Sequence, residues 1–247
     1  MIEKLPKQVS EIPAVDVVGV CRSFDGKTVL EKINLRLTGG SAICICGANA
    51  AGKTTIVRII AGLMQPDAGT VKICGFNVKT DASRVKPIIG AILHKSMVYP
   101  QLTVEENLRF FADVYNVGDG KTRTQEILNE TGLSAHRFKT AGVLSRGIMQ
   151  RLAIARALIH RPAVLLADEP FTGLDGDAAK YLIETLHNFK NQGGSIVMTT
   201  HNIDFALRCC EQVAVLDNKK IIFNAEVSKI NVGEFAADYL SYARKNR

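Results

Sequence analysis

One eight-residue stretch, Gly47-Ala48-Asn49-Ala50-Ala51-Gly52-Lys53-Thr54, limits what this chain can fold into more than any other feature. It matches G-x-x-x-x-G-K-[ST] and lies between an apolar run, Ser41–Cys46 (SAICIC), and a helical pattern, Thr54–Leu63. A strand, a wrapping loop and a helix in that order turn backbone N–H groups inward around an anion. The helix N-terminus adds its dipole. Gly52 lets the backbone approach closely, Lys53 sets a positive charge against β- and γ-phosphates, and the Thr54 hydroxyl, followed by Thr55, suits Mg²⁺.

Three further apolar runs, Ala163–Ala167 (AVLLA), Ser195–Thr199 (SIVMT) and Val213–Leu216 (VAVL), share the pattern of Ser41–Cys46. Each is apolar on successive residues, which fits strands covered on both faces of a parallel sheet. Helical patterns at Ser145–His160, Asp177–Asn191 and Phe205–Gln212 supply the crossovers. In the first of these, Ile148, Leu152, Ala155 and Ile159 recur on one face. The N-terminal part differs. Val15–Val20 and Ile33–Leu37 read as strands joined through the Asp25-Gly26 turn, and Thr70–Cys74 adds a third between Gly69 and Gly75, forming an antiparallel edge layer. From about 95 to 140 the pattern is helical, with Thr103 as N-cap and Glu106 at capping-box spacing.

Composition narrows the class. Hydrophobic residues make up 47% and charged residues 22%, which excludes disordered and collagen-like chains. No apolar run approaches the ~18 residues of a membrane span. The opening MIEKLPKQVSEIP has no apolar core of a secretory signal, so a cytoplasmic location is expected. None of the six cysteines forms a C-x-x-C pair. Cys44 and Cys46 fall on one face of a strand and read as buried, inert thiols. The net charge of +7 suits nucleic acid, anionic lipid, a polyphosphate or merely a solvated surface.

Other residues fit phosphate chemistry. Ala163–Pro170 (AVLLADEP) ends an apolar strand in two acids. A carboxylate at a strand's C-terminal end reaches the ligand crevice of an open α/β sheet. By itself Asp-Glu-Pro is a turn sequence; beside the Lys53 loop, Asp168 suits the Mg²⁺ shell and Glu169 suits polarisation of a water. Leu144–Arg151 (LSRGIMQR) opens an amphipathic helix with Ser145, which reads as plain capping or as a second anion site.

These motifs, with Gly173-Leu174-Asp175 and Thr200-His201, occur in one order and together resemble the nucleotide-binding subunits of ABC transporters over about Val15 to Asn224. The resemblance implies a P-loop NTPase of α/β class: a mostly parallel core sheet, an N-terminal antiparallel β layer and an inserted α-helical subdomain at about 95–160, all one domain over 1–247. It implies ATP and Mg²⁺ as ligands and ATP hydrolysis as the activity. Two ATP molecules would be sandwiched between two cassettes, each held by Lys53 of one and by Ser145 and Gly147 of the other. Asp175 would line the seam, His201 would contact the γ-phosphate, and Phe24 would stack on adenine. Read without the resemblance, His201 is a strand-end histidine and Phe24 a core or surface aromatic. The chain departs from the family's pattern at three places. Ala50 replaces a further glycine of the loop, Arg146 and Ile148 replace residues of the common LSGGQ, and His94 falls where a Mg²⁺-contacting glutamine belongs.

With no membrane span of its own, a transport role implies a separate transmembrane permease subunit, and a lone cassette implies a homodimer or a related partner at the cytoplasmic face of the membrane. Leu102–Val117 (LTVEENLRFFADVYNV) and LSRGIMQR look most like export-type cassettes and, among these, are similar to the haem exporters of cytochrome c biogenesis; exporters of drugs, lipids or polysaccharides share these features. The alternative is a soluble ABC ATPase of the iron–sulfur assembly type. A repair type would need a long coiled coil between Lys53 and Ser145, which lie only 92 residues apart, so no nucleic-acid partner is expected.

Overall fold

The computed structural model describes residues 12–93, 96–235 and 239. His94 and most of the N-terminal stretch read above for a signal therefore lie outside the described residues. The first hairpin is set by its turn. β1 (Val15–Phe24) pairs antiparallel with β2 (Lys27–Leu37), and Phe24 faces Lys27 across Asp25 (φ 48°) and Gly26 (φ 76°). Two consecutive left-handed residues match the twist of a tight hairpin. Both strands outrun their apolar stretches, because the ladder continues through polar pairs such as Ser23 and Thr28. β4 (Ala68–Ile73) pairs with the other edge of β1, and β5 (Phe76–Asn77) with β4, giving the order β2-β1-β4-β5.

The second sheet runs β10-β9-β3-β8-β7-β6 among the described residues. β3 (Ala42–Cys46), β6 (Ile89–Ile92), β7 (Val164–Asp168), β8 (Ser195–Thr200) and β9 (Gln212–Asp217) are mutually parallel along the sheet; β10 (Lys220–Glu226) closes one edge antiparallel to β9. Every residue of β3, β7 and β8 is buried, as expected for strands covered on both faces. Two strands of this sheet, like β5 of the first, escape the sequence reading. β6 spans only four residues, and β10 alternates half-buried with exposed positions, the sign of an edge strand wet on one face.

Helices cover both faces. α1 (Lys53–Ile60) lies between the two sheets, where Ile56, Val57, Ile59 and Ile60 join the apolar faces of β1, β2 and β4. It stops before the expected Leu63, because Gly62 turns left-handed at φ 69°. After the single turn α2 (Ala82–Val85), the chain returns through β6. On the opposite face pack α6 (Gly176–Asn191) and α7 (Ile203–Cys209). α7 starts earlier than Phe205 because the Asn202 side chain caps it, accepting from the Asp204 N–H at 2.9 Å. It ends earlier because Cys210 is already extended towards β9. α3 (Val104–Val114), α4 (Gly120–Glu130) and α5 (Arg146–Leu158) build a separate apolar cluster with Leu152, Ala155 and Ile159 on its α5 side. Thr103 and Glu106 form the expected capping box at the start of α3.

The cysteines are all free thiols. Cys44 and Cys46 share a face with sulfurs 3.6 Å apart, and burial pushes the Cys44 thiol well up. Burial likewise pushes Cys209 up to about 12. Such thiols stay protonated and unreactive. Cys21 and Cys74 are only half-buried.

Candidate functional site

The parallel strands point their C-terminal ends at one edge of the sheet, and the loop after β3, at the centre of that sheet, opens there. Gly47 must be glycine: a Cβ would stand 2.5 Å from the Leu216 carbonyl oxygen on β9. Gly52, at φ 105°, would drive a Cβ to 2.9 Å from Leu30 of β2. The loop is thus folded back tightly enough to aim its N–H groups and the start of α1 into one cleft of about 220 Å³. Asn49, Ala50, Gly52, Lys53, Thr54 and Thr55 line it, with Glu169 on the opposite wall. Ala50 does adopt a left-handed conformation (φ 64°), so the missing glycine is met by strain rather than by a different loop path.

Lys53 Nζ donates to the carbonyls of Gly47 (2.8 Å) and Ala48 (3.0 Å) and lies 3.2 Å from Glu169 Oε1. The Thr54 hydroxyl donates to Asp168 Oδ2 at 2.8 Å. These are hard oxygen donors at the mouth of an anion cradle. Mg²⁺ takes such a set while drawing its remaining ligands from phosphate and water, so the residues fit that ion.

Asp168 closes β7 and is held on its other oxygen by the Thr199 hydroxyl (2.7 Å) from the neighbouring β8. Glu169 then bends into a left-handed conformation (φ 50°), and its N–H donates to both the carbonyl and the hydroxyl oxygen of Thr199, each at 3.1 Å. A non-glycine residue in this region stores strain, a feature that gathers at functional sites. The bend swings the Glu169 carboxylate back to Lys53, and Oε2 meets His201 Nδ1 at 2.9 Å and accepts from the His201 N–H at 3.3 Å. Lys53, Thr54, Asp168, Glu169 and His201 therefore converge from three distant segments.

The remaining candidates do not join this cluster. Ser145 caps α5, its hydroxyl accepting from the Ile148 N–H at a long 3.4 Å, and Asp175 caps α6 by accepting from the Ala178 N–H at 2.8 Å. Gly147 packs 3.8 Å from the Ala178 methyl group, counted from where its own Cβ would stand. Ser145, Gly147 and Asp175 thus gather at a seam between α5 and α6. Phe24 ends β1 partly exposed, with the Arg22 guanidinium 4.7 Å from its ring centre. Thr199 was missed in the sequence. The only signal was a pair of threonines ending an otherwise apolar strand.

A phosphate loop after the central strand, an acid pair after the next strand but one and a polar strand end between them define a P-loop nucleotide-binding ATPase fold. The family model described as ABC transporter matches residues 30–172, more than half of the chain. The chain belongs to the ABC transporter family, as an ATP-binding subunit. It is 31% identical over 232 residues to the Nod factor export ATP-binding protein I of Ralstonia nicotianae, covering 93% of this chain and 72% of that protein. It is 34% identical over 233 residues to the spermidine/putrescine import ATP-binding protein PotA of Fusobacterium nucleatum, covering 92% of this chain and 61% of that protein. Among solved structures, an ATP-binding subunit of an ABC transporter superposes with a TM-score of 0.83 at 25% identity, covering 92% of this chain and 99% of that one. The ATP-binding cassette MJ0796, solved as a dimer bound to ADP and Pi in a post-hydrolysis state, gives 0.78 at 25% identity, covering 86% of this chain and 98% of that one. No helix among the described residues is long and apolar enough to cross a membrane.

Proposed function

We propose that this chain hydrolyses ATP to ADP and phosphate, with Glu169 as the base that orients the attacking water. One observation carries the reading: the Glu169 carboxylate is fixed between Lys53 (3.2 Å) and His201 (2.9 Å) at the mouth of the phosphate loop. Loop N–H groups from Gly47 to Thr55, including those of Ala48, Asn49, Ala50 and Ala51, hold the phosphates, while Lys53 offsets their charge and Phe24 stacks on adenine. Thr54 and Asp168, with His94, would hold Mg²⁺, which would supply positive charge against the phosphate oxygens. His201 steadies the γ-phosphate. Catalysis rests on positioning and charge stabilisation, as in other phosphoryl transfers.

The working unit is a pair of cassettes, identical or related, with Ser145 and Gly147 of one completing the nucleotide site of the other and Asp175 at the seam. The exposed start of α5 supports this, and so does the dimeric MJ0796 cassette. Each chain is one ATPase domain over 1–247, and the separate apolar cluster of α3, α4 and α5 supports a helical subdomain at about 95–160.

The pair drives export through a separate transmembrane permease at the cytoplasmic face of the membrane, and the proposed cargo is haem for cytochrome c biogenesis. The relative named for Nod factor export supports the direction; PotA, named for import, is the counterweight. Haem as cargo rests on the likeness of Leu102–Val117 and LSRGIMQR alone. Affinity purification from detergent-solubilised membranes tests the assignment. A co-purifying polytopic protein that raises ATP turnover is expected, and loss of the gene is expected to abolish holocytochrome c. A fully active ATPase found only in the soluble fraction would contradict the transport role, and normal holocytochrome c would remove haem as cargo.

A further inference from the structure

We infer that Arg146 is a positioning residue that couples the loop leaving Glu169 to the helix start bearing Ser145. The inference rests on the ATPase reading above and goes beyond it.

The first turn of α5 is seated, within one chain, on residues 170–178. Arg146 Nη2 donates to the Thr172 carbonyl at 2.9 Å, and Gln150 Nε2, one turn on, donates to the Pro170 carbonyl at 3.1 Å. The guanidinium lies flat against Gly173: a Cβ there would fall 2.1 Å from Arg146 Cζ. Gly173 is left-handed at φ 69°, so this seat needs glycine twice over. The gripped loop is itself tied to the backbone of Glu169. The Thr172 N–H donates to the Glu169 carbonyl at 3.2 Å, and the Leu174 N–H donates to that of Phe171 at 3.2 Å. The chain then reaches Asp175, the cap of α6.

A shift of Glu169 therefore moves Pro170 and Thr172, and Arg146 with Gln150 carries that shift to the start of α5. In a pair of cassettes, Glu169 serves one nucleotide and Ser145 of the same chain serves the other. The Arg146 clamp links the two sites within each chain. A long planar side chain suits the task, because the fork donates to the carbonyl while its face covers the glycine.

The test is ATP turnover, its ATP dependence and thermal unfolding for wild type, Arg146→Met, Arg146→Lys and Gly173→Ala. Misplacement of catalytic groups by about 1 Å costs up to roughly 100-fold in rate. Arg146→Met and Gly173→Ala, which break the seat from opposite sides, are expected to lower kcat by about 10-fold or more. KM for ATP is expected to stay within about 2-fold, because Lys53 and its loop are untouched, and the Hill coefficient to fall towards one. Arg146→Lys, which keeps a donor but not the plane, is expected to recover part of kcat. Wild-type kcat and Hill coefficient in both Arg146→Met and Gly173→Ala would overturn the inference. So would a kcat loss matched by a KM rise of the same size. Absence of turnover in the wild type would instead overturn the ATPase reading.

Discussion

Replacing Thr199 with valine removes one oxygen from a fully buried position and changes little else in shape. That hydroxyl donates to Asp168 at 2.7 Å and accepts from the Glu169 N–H at 3.1 Å. The Glu169 N–H keeps the Thr199 carbonyl at 3.1 Å, so it is not orphaned. Asp168 fares worse. The carboxylate is 3% exposed and keeps the Thr54 hydroxyl on its other oxygen. Hydrogen bonds to charged groups contribute about 1.5–3 kcal/mol, so Thr199→Val is expected to cost roughly 2–3 kcal/mol. At this chain length each kcal/mol lowers the unfolding midpoint by about 2–4 °C, giving a fall of roughly 4–12 °C. Because Asp168 can then rotate and Glu169 loses one anchor of its strained bend, turnover should fall by about 10-fold or more. Differential scanning fluorimetry and a coupled ATPase assay read both. An unchanged midpoint with wild-type turnover would refute the claim that β8 organises the acid pair.

Three further changes follow from the same geometry. Ala50→Gly relieves a left-handed alanine worth about 1–2 kcal/mol and adds unfolded-chain freedom worth about 0.4–1 kcal/mol, so a net gain of up to about 1.6 kcal/mol is expected in urea unfolding; a loss would show that the strain is absent. Thr103→Ala breaks the capping box of α3 and is expected to cost about 1 kcal/mol. The Glu106 carboxyl is held below its ordinary value first by the Thr103 N–H, which alanine keeps, and then by the hydroxyl, which alanine removes. Only the hydroxyl's hold on the carboxylate is lost as pH falls through the lowered Glu106 value, so the gap between variant and wild type should narrow there without closing, because the Thr103 hydroxyl still accepts from the Glu106 N–H. His160 is stacked on Tyr115 and donates through Nε2 to the Ile89 carbonyl; burial, with Arg156 nearby, pushes its pKa below the ordinary 6.5. Since only the unfolded chain takes up that proton readily, the contribution is whole above pH 6.5 and shrinks as pH falls towards the folded value. Thermal unfolding of His160→Gln should therefore depend less on pH between about 7 and 5.5 than wild type; equal slopes would contradict this.

Legibility followed from how local each signal is. The phosphate loop reads plainly because its glycines answer backbone demands, a carbonyl 2.5 Å from a would-be Cβ at Gly47 and a left-handed bend at Gly52. β3, β7 and β8 read plainly because burial on both faces leaves no polar residue in their middles. β10 did not, since an edge strand with one wet face looks like loop, and β6 did not, since four residues carry too little pattern. The site's acids were legible as motifs, but the left-handed bend that swings Glu169 onto His201 was not, because its cause lies in Thr199 on a neighbouring strand, 30 residues away. Arg146 looked like a mere departure from a motif. Its partner carbonyl at Thr172 belongs to another segment that only the fold brings near.

The central claim is that Glu169 orients water for hydrolysis while Lys53 and the loop bind the nucleotide. Glu169→Gln separates these roles, since it keeps the shape and one accepting oxygen but removes the base. Single-turnover hydrolysis and size-exclusion chromatography with ATP and Mg²⁺ measure both. ATP-dependent dimers and turnover reduced by at least about 100-fold are expected. Turnover at the wild-type rate in Glu169→Gln would contradict the claim.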